Sequence, residues 1–423
     1  MRVFVIGGGA REHALVARLR DDPDPPDIIC APGNPGIAAL ARTVPANGSN
    51  PDDLARVAGA EQVDFTIVGP EVPLSAGVAD RFAADGRLLF GPTRAAAELE
   101  SSKAFAKSFM TRHHVPTARF RTCDNVDDAR RFVRGGEFGF PVVLKADGLA
   151  AGKGVVIATD RDEAEAAITA AMTEQRFGAA GNRLVIEEHL TGPEVSFFVI
   201  SDGIRTVPIG TAQDHKRIFD DDRGPNTGGM GAFAPSPLVD TRLHDRVMTE
   251  IVGPVISGMA SEGRPYRGVL YVGLMLTREG PKVIEFNVRF GDPEAQVILP
   301  LIEEPLLPLL MAAARGNLHQ TECRLSRRKL VGVVIASRGY PESSESGQPI
   351  SGIDGAEHDG VRVLHAGTAL RDARLVTAGG RVLTVVAGGR DFSDAIANAY
   401  SGVEKIHFDG MQFRRDIGRK ALA

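Results

Sequence analysis

The chain has 423 residues, 43% hydrophobic and 24% charged, with a formal net charge of -5. That length exceeds what one hydrophobic core organises, so two to four domains are expected, and the small net charge gives no long-range pull toward nucleic acid or anionic lipid. Cys30, Cys123 and Cys323 lie far apart and outside any CxxC spacing, which argues against structural zinc and disulfides and fits a reducing cytoplasm.

The first residues, Met-Arg-Val-Phe-Val-Ile-Gly, run straight into a short apolar strand without the basic n-region and apolar stretch of a secretory signal. No window reaches the roughly 18 apolar residues of a membrane span. A soluble, cytoplasmic chain without a membrane partner is expected. Apolar runs then alternate with helical patterns: Val3–Ile6 and Glu12–Arg20, Ile28–Ala31 and a helical stretch, Phe65–Val68 and Ser75–Ala84, then Leu88–Phe90. This is the rhythm of a parallel sheet with crossover helices.

At Gly91-Pro-Thr the rhythm breaks, and a Lys-rich helix begins behind Ser102, a residue suited to cap it. From Phe140 to Ile157 two β-branched runs flank a glycine-rich loop, Arg161–Met172 reads as a helix, and Arg183–Glu187 reads as a strand, giving a small α+β unit. Thr211–Pro237 reads as a long Gly/Pro-rich loop, functional or disordered. Strands follow at Gly268–Thr277 and Pro281–Phe290 around the turn Arg278-Glu-Gly, then an apolar helix over Pro305–Ala314. From Leu330 onward, Val/Ile runs alternate with Gly turns and one helix lies near Asp391–Tyr400, a pattern read as a separate α+β domain. The expected division is 1–101 (parallel α/β, substrate-binding), 102–325 (with a small lobe about 120–190) and 326–423 (α+β).

The glycine-rich loop, Leu144-Lys-Ala-Asp-Gly-Leu-Ala-Ala-Gly-Lys-Gly, is not a P-loop. Gly148 and Gly152 are one residue too close, Gly154 stands where a hydroxyl is needed, and a strand rather than a helix follows. It reads as a β-hairpin tip whose small residues let backbone N–H groups close over a polyanion while Lys153 adds charge; a plain surface hairpin fits equally well. The N-terminal Gly7-Gly-Gly9-Ala-Arg-Glu-His13 fails the dinucleotide fingerprint because Glu12 occupies the third glycine position, but it still suits a single phosphate.

In Val283-Ile-Glu-Phe-Asn-Val-Arg-Phe290, strand alternation puts Glu285, Asn287 and Arg289 on one face and Ile284, Phe286, Val288 and Phe290 on the other. A carboxylate and an amide oxygen two residues apart suit Mg²⁺, which prefers few protein oxygens plus nucleotide phosphates; a solvated edge strand is the plain alternative. His215, within Asp-His-Lys-Arg, reads as a solvated or hydrogen-bonding residue in preference to an acid/base catalyst, and Asp220–Asp222 as a solvated turn.

Together with Val68-Gly-Pro-Glu71, Gln213-Asp-His-Lys-Arg217, Gly224-Pro-Asn-Thr-Gly-Gly-Met-Gly231 and Asn287-x-Arg-Phe-Gly-Asp-Pro-Glu294, these segments closely resemble the phosphoribosylamine–glycine ligase (glycinamide ribonucleotide synthetase) family over nearly the whole chain. The resemblance implies a multidomain α/β and α+β architecture: an N-terminal parallel-sheet domain, a two-lobed ATP-grasp domain and a small C-terminal domain. It implies a cytoplasmic, monomeric ligase of purine biosynthesis, with ATP as co-substrate, Mg²⁺ or Mn²⁺ as metal, and glycine and 5-phosphoribosylamine as small-molecule partners, joined through glycyl phosphate.

Carried over by position, Lys103, Lys145, Gly152, Lys153 and Gly154 fall at ATP phosphates. Glu187, Glu188 and Leu190 fall at the adenine hinge, where backbone and carboxylate read the base, and Glu194 at the ribose. Glu285 and Asn287 match the metal ligands. Asp214, Lys216, Arg289 and Asp292 fall where the reacting carboxylate and intermediate are held, while Gly8, Gly9, Asn34, Glu71, Asn226, Thr227 and Gly228 fall at substrate loops. The strand Gly268–Leu276 carries none of the additional metal-binding acid found in many ATP-grasp enzymes.

Overall fold

The computed structural model describes residues 1–149, 154–358 and 360–422. Its first unit is a five-stranded parallel sheet in the order Arg42–Thr43, Asp27–Pro32, Arg2–Gly7, Phe65–Val68, Leu89–Phe90. Arg2–Gly7 and Phe65–Val68 are almost wholly buried, as strands covered on both faces must be. The chain builds outward on one side of Arg2–Gly7 and then crosses to the other. The carboxyl ends of Arg2–Gly7 and Phe65–Val68 therefore form a switch point, where open α/β sheets bind ligands. Gly8, Gly9 and Glu71 follow these ends. A Cβ on Gly8 would lie 2.5 Å from the carbonyl oxygen of Gly33, so the two loops touch through their backbones.

An eight-stranded antiparallel sheet forms the centre, in the order Gly280–Asn287, Arg267–Thr277, Glu194–Asp202, Thr206–Asp214, Gly231–Ala234, Lys329–Ala336, Arg381–Gly389, Val361–His365. The C-terminal strands extend this sheet through the pairing of Gly231–Ala234 with Lys329–Ala336, and behind them Phe233, Val333, Leu383, Ala399 and Phe408 share a core.

Two sequence expectations change here. Thr211–Pro237 is largely strand rather than loop, because it includes the end of Thr206–Asp214, the short pair Arg217–Phe219 and Arg223–Asn226, and Gly231–Ala234. Gly229, with a φ of 111, marks the corner between Asn226 and Gly231, and Gly224, with a φ of 80, lies within the short strand Arg223–Asn226. The strand expected over Pro281–Phe290 ends at Asn287 and contains a bulge. Gly273 faces Glu285 and Leu274 faces Val283, so Ile284 is an extra residue and leaves the apolar face, which Val283, Phe286, Val288 and Phe290 form instead.

The small lobe is a four-stranded antiparallel sheet, Phe120–Cys123, Leu184–Glu188, Val142–Ala146, Val155–Ala158, packed on its own core of Val142, Leu144, Ala164, Ile168 and Ile186. By contrast, the parallel-sheet unit and the central sheet share one apolar cluster that runs from Val5 and Leu19 to Phe198, Leu306 and Leu310. A buried polar lock reinforces this joint. The Asp22 carboxylate accepts from the first-turn amides of Leu306 and Leu307, both at 2.9 Å, and pairs with Arg18 at 2.6 Å, while Arg18 donates to the carbonyl of Ile302. Asp22 thus caps the helix Leu306–Arg315 from another unit.

Asp22→Ala removes that cap and leaves Arg18 unpaired, which should cost about 3 kcal/mol in urea unfolding. Asp22→Asn, which keeps an acceptor, should lose less. An Asp22→Ala protein as stable as wild type would contradict the lock.

Candidate active site at the junction of the units

One wall of the cleft is cationic. Ser102 caps the helix Lys103–Arg112 through the amide of Phe105, and Asp147 accepts from the Ser102 hydroxyl and the Ala104 amide, tying this helix to the glycine-rich hairpin. Lys103 then reaches the carbonyl of Gly148 at 2.9 Å. Four residues on, Lys107 is buried and pairs with Glu187 at 2.8 Å, and Lys145 meets the other oxygen of Glu187 at 2.9 Å. Two cations thus share one carboxylate and leave a net positive charge. Burial first, and then the charge of Lys145, pulls the Lys107 ammonium down to about 8 against the pull of Glu187; burial also lowers Lys103. Lys145 donates as well to the carbonyl of Ile284, at 3.0 Å, so the bulged residue holds the small lobe against the central sheet.

The facing wall is acidic. Burial opposes it, but Lys216, Lys145, Lys103 and Arg289 hold the Glu285 carboxyl below the ordinary carboxylate range. Lys216 pairs with Glu194 at 2.7 Å and lies 3.9 Å from Glu285. Burial also pushes the Asp214 carboxyl up to about 7, with Glu294, Glu194 and Glu285 acting in the same direction against Lys216. Among the described residues no group of three or more His, Cys, Asp or Glu converges as a metal cage. Glu285 and Asn287 instead offer one ionised carboxylate and one amide oxygen, whose only donor among the described residues is Arg289 at 3.4 Å. That pair suits a hard cation that takes its other oxygens from phosphates.

Arg289 closes the junction. It donates to Glu71 at 3.1 Å and to the carbonyl of Phe290 at 3.1 Å, and it pairs with Glu100 at 2.9 Å; Glu100 in turn accepts the Val288 amide at 2.7 Å. Arg11, paired with Glu12 at 2.8 Å, also donates to Phe290 O and lies 3.8 Å from Glu71. Glu12 is confined between glycines, since a Cβ on Gly69 would fall 2.1 Å from its Oε1, and it accepts the Gly9 amide at 2.6 Å. Asp292 is held by Gln296 at 2.7 Å and Arg381 at 2.9 Å.

The structure therefore brings Lys103, Lys145, Glu187, Glu194, Asp214, Lys216, Glu285, Asn287, Arg289, Asp292 and Glu71 around one cleft. Gly154 closes the hairpin by accepting the Ala146 amide at 2.8 Å; Gly152 and Lys153 lie outside the described residues. Several expected ligands already have partners. Besides Glu187, Glu188 is paired with Arg119 at 2.7 Å, and Leu190 lies two residues beyond the strand end. Asn34 caps a short turn through the Ile37 amide and donates to Gly8 O and His365 O. The Thr227 hydroxyl donates to Lys216 O, and Gly228 is held by Tyr340 and Arg381. Asn226 pairs with Arg217 across the short hairpin.

The His215 imidazole is neither solvated nor hydrogen-bonded: it is fully buried against Phe233, and neither ring nitrogen has a partner among the described residues. Asp220–Asp222 are bonded rather than merely solvated. The sequence reading missed Lys107, Glu100, Arg11, Tyr340 and Arg381. Lys107 follows Lys103 by one helical turn, a signal that was available; the partners beyond residue 330 give no local signal.

Family models of phosphoribosylglycinamide synthetase match the chain in three parts: the N domain at residues 1–100, the ATP-grasp (A) domain at 101–295 and the C domain at 330–420. The chain is 50% identical over its whole length to the phosphoribosylamine–glycine ligase of Xylella fastidiosa strain Temecula1, covering 98% of it. It is 49% identical to that of Ralstonia nicotianae, with each chain covered completely. The crystal structure of phosphoribosylamine–glycine ligase from Thermotoga maritima superposes with a TM-score of 0.86 at 32% identity, over 98% of this chain and all of that one. A biotin carboxylase from Campylobacter jejuni shares the fold, with a TM-score of 0.76 at 15% identity over 99% of this chain and 94% of that one.

Because the folded protein holds a proton on Asp214 up to about pH 7, whereas the unfolded chain releases it near ~3.9, this group's stabilisation is complete below ~pH 4 and is lost as pH rises through 7. Asp214→Asn, which mimics the protonated form, should raise Tm relative to wild type more at pH 8 than at pH 5. Equal shifts at the two pH values would contradict the assignment.

Proposed function

The chain belongs to the phosphoribosylglycinamide synthetase family, an ATP-dependent ligase group of purine biosynthesis that joins glycine to 5-phosphoribosylamine, and we propose that it does so through glycyl phosphate in the cleft described above. The observation that supports this most is the meeting of three chemistries at one point: a lysine wall for phosphates, the Glu285–Asn287 pair, and Arg289 joined to Glu71 at the switch point.

In this reading Lys103, Lys145, Gly152, Lys153 and Gly154 hold ATP phosphates. Since Glu187 and Glu188 already carry ion pairs, adenine is read by the main chain of Glu187–Leu190, a narrower role than the backbone-and-carboxylate reading of the sequence. Glu194 takes the ribose hydroxyls, exchanging its Lys216 partner for them. Glu285 and Asn287 hold Mg²⁺ or Mn²⁺, which supplies charge neutralisation for the phosphates when bound.

The glycine carboxylate oxygen attacks the γ-phosphorus, and the bond from that phosphorus to the ADP oxygen breaks. Both reactants are anionic, so the charges of Lys216 and Arg289 are what permit the approach. The amine nitrogen of phosphoribosylamine then attacks the acyl carbon and phosphate departs. Asp214 and Asp292 orient the amino-acid and amine groups, and the turn Asn226–Gly228 borders the same side. Gly8, Gly9 and Glu71 receive phosphoribosylamine, with Asn34 shaping the loop as its cap. A reducing cytoplasm suits the three free cysteines.

Purified protein with Mg-ATP, glycine and freshly generated phosphoribosylamine should release ADP only when both co-substrates are present. ADP formation with bicarbonate in place of glycine would overturn the reading. Glu285→Gln should lower kcat about a hundredfold, the scale of losing one transition-state stabilising group, with Tm retained; unchanged turnover at limiting magnesium would remove Glu285 from the metal site.

A further inference from the structure

Between Asp214, which pairs with Ala232, and Gly231, the chain leaves the central sheet on an excursion that carries Lys216 and the turn Asn226–Gly228. Its neck is closed by the His215 amide on Gly231 O at 2.9 Å and the Met230 amide on His215 O at 2.8 Å. Inside it, the amide and hydroxyl of Thr227 both bond Lys216 O at 2.8 Å, so the Lys216 main chain moves with this turn. The far end is the hairpin Arg217–Phe219 and Arg223–Asn226, whose turn residues Asp221 and Asp222 have φ of 58 and 52. Aspartate tolerates the left-handed region in tight hairpin turns, and here further bonds fix the turn in place.

Those bonds come from the C-terminal segment. The Arg414 side chain is fully buried; its Nε and Nη2 grip Asp416 at 2.7 and 2.6 Å, which aims Nη1 at Asp222 (2.9 Å) and at the carbonyl of Arg217 (3.1 Å). Asp416 also accepts the Asp221 amide at 3.0 Å, Asp220 accepts the Arg415 amide at 2.7 Å, and Lys420 meets Asp222 at 2.6 Å. All three aspartates are engaged, and the residue whose carbonyl Arg414 holds is the neighbour of Lys216. Tyr340 and Arg381, also from beyond residue 330, fix Gly228 at 2.9 and 2.7 Å.

We propose that the C-terminal segment Arg414–Lys420 is a positioning element for the amino-acid side of the active site: Arg414 and Asp222 act through the Arg217 backbone to set the Lys216 ammonium. This rests on the reading that Lys216 meets the glycine carboxylate. Arg414 is a positioning residue, and its two-sided grip needs the planar fork of a guanidinium, which lysine lacks. The small lobe, which carries Lys145, has its own core and no bond to this segment among the described residues, and Lys216 reaches the nucleotide side only through Glu194 and Glu285, so the clamp acts on ATP less than on glycine.

The test uses the full chain with Asp222→Ala, Arg414→Lys and Arg414→Met, measuring KM for glycine, KM for ATP, Tm, and amide hydrogen exchange over residues 216–230. Asp222→Ala should raise the glycine KM about tenfold, the scale of a small misplacement of a binding group, leave the ATP KM within about twofold, and speed exchange in 216–230. Both Arg414 variants should do more. If they fail to fold, Asp222→Ala decides alone, because Asp222 is a partly exposed side chain. A folded Asp222→Ala protein with unchanged glycine KM, or with glycine and ATP KM rising together, would overturn the proposal. If wild type forms no glycine-dependent ADP, the ligase reading fails by itself, and the clamp is then judged on exchange: faster over 216–230 supports it, unchanged overturns it.

Discussion

The geometry of the site depends on Arg289. Its guanidinium meets Glu71 from the parallel-sheet unit and Glu100 from the segment leading into the next, and its own backbone continues directly from the strand that presents Glu285 and Asn287. A largely shielded guanidinium without counterions would be costly, and so would the buried Glu100 carboxylate without it. The three charges therefore hold three stretches of chain together. Through that one ion the switch point of the parallel sheet is brought to the end of the acidic strand, which is where a reaction between two bound molecules needs its partners.

The same logic of incomplete cancellation runs through the cleft. Lys107 and Lys145 share Glu187, leaving positive charge on the phosphate side; Glu194 and Glu285 share Lys216, leaving negative charge on the other. The bulge at Ile284 joins the halves, because the extra residue turns its carbonyl toward Lys145. The small lobe, with a core of its own, touches the rest through such polar contacts, whereas the parallel-sheet unit is fused to the central sheet by shared apolar burial and the Arg18–Asp22 lock. Rigid joints thus surround the amine and amino-acid sides, and the polar joint lies on the nucleotide side.

Much of this was legible in the sequence. Alternating apolar runs gave the parallel sheet and most of its helices, and the Glu-x-Asn-x-Arg spacing put Glu285, Asn287 and Arg289 on the less buried face opposite Phe286, Val288 and Phe290. Three things were not legible. A bulge inverts the face of one residue without changing composition, so strict alternation misassigned Ile284. Glycine-rich Thr211–Pro237 looked like a loop because composition does not distinguish a long connection from short strands with tight corners. Partners across hundreds of residues were also hidden: Asp220–Asp222 look like any acidic turn until Arg414, Arg415 and Lys420 are brought against them, and nothing local to Gly228 announces Tyr340 or Arg381.

The central claim is that the glycine carboxylate is phosphorylated before it meets the amine. Glycine labelled with heavy oxygen in its carboxylate tests this directly, with mass analysis of the phosphate released during turnover. The account predicts that each phosphate carries a single oxygen from glycine, transferred through the acyl phosphate. Phosphate free of the label, with the second carboxylate oxygen lost to water, would contradict it.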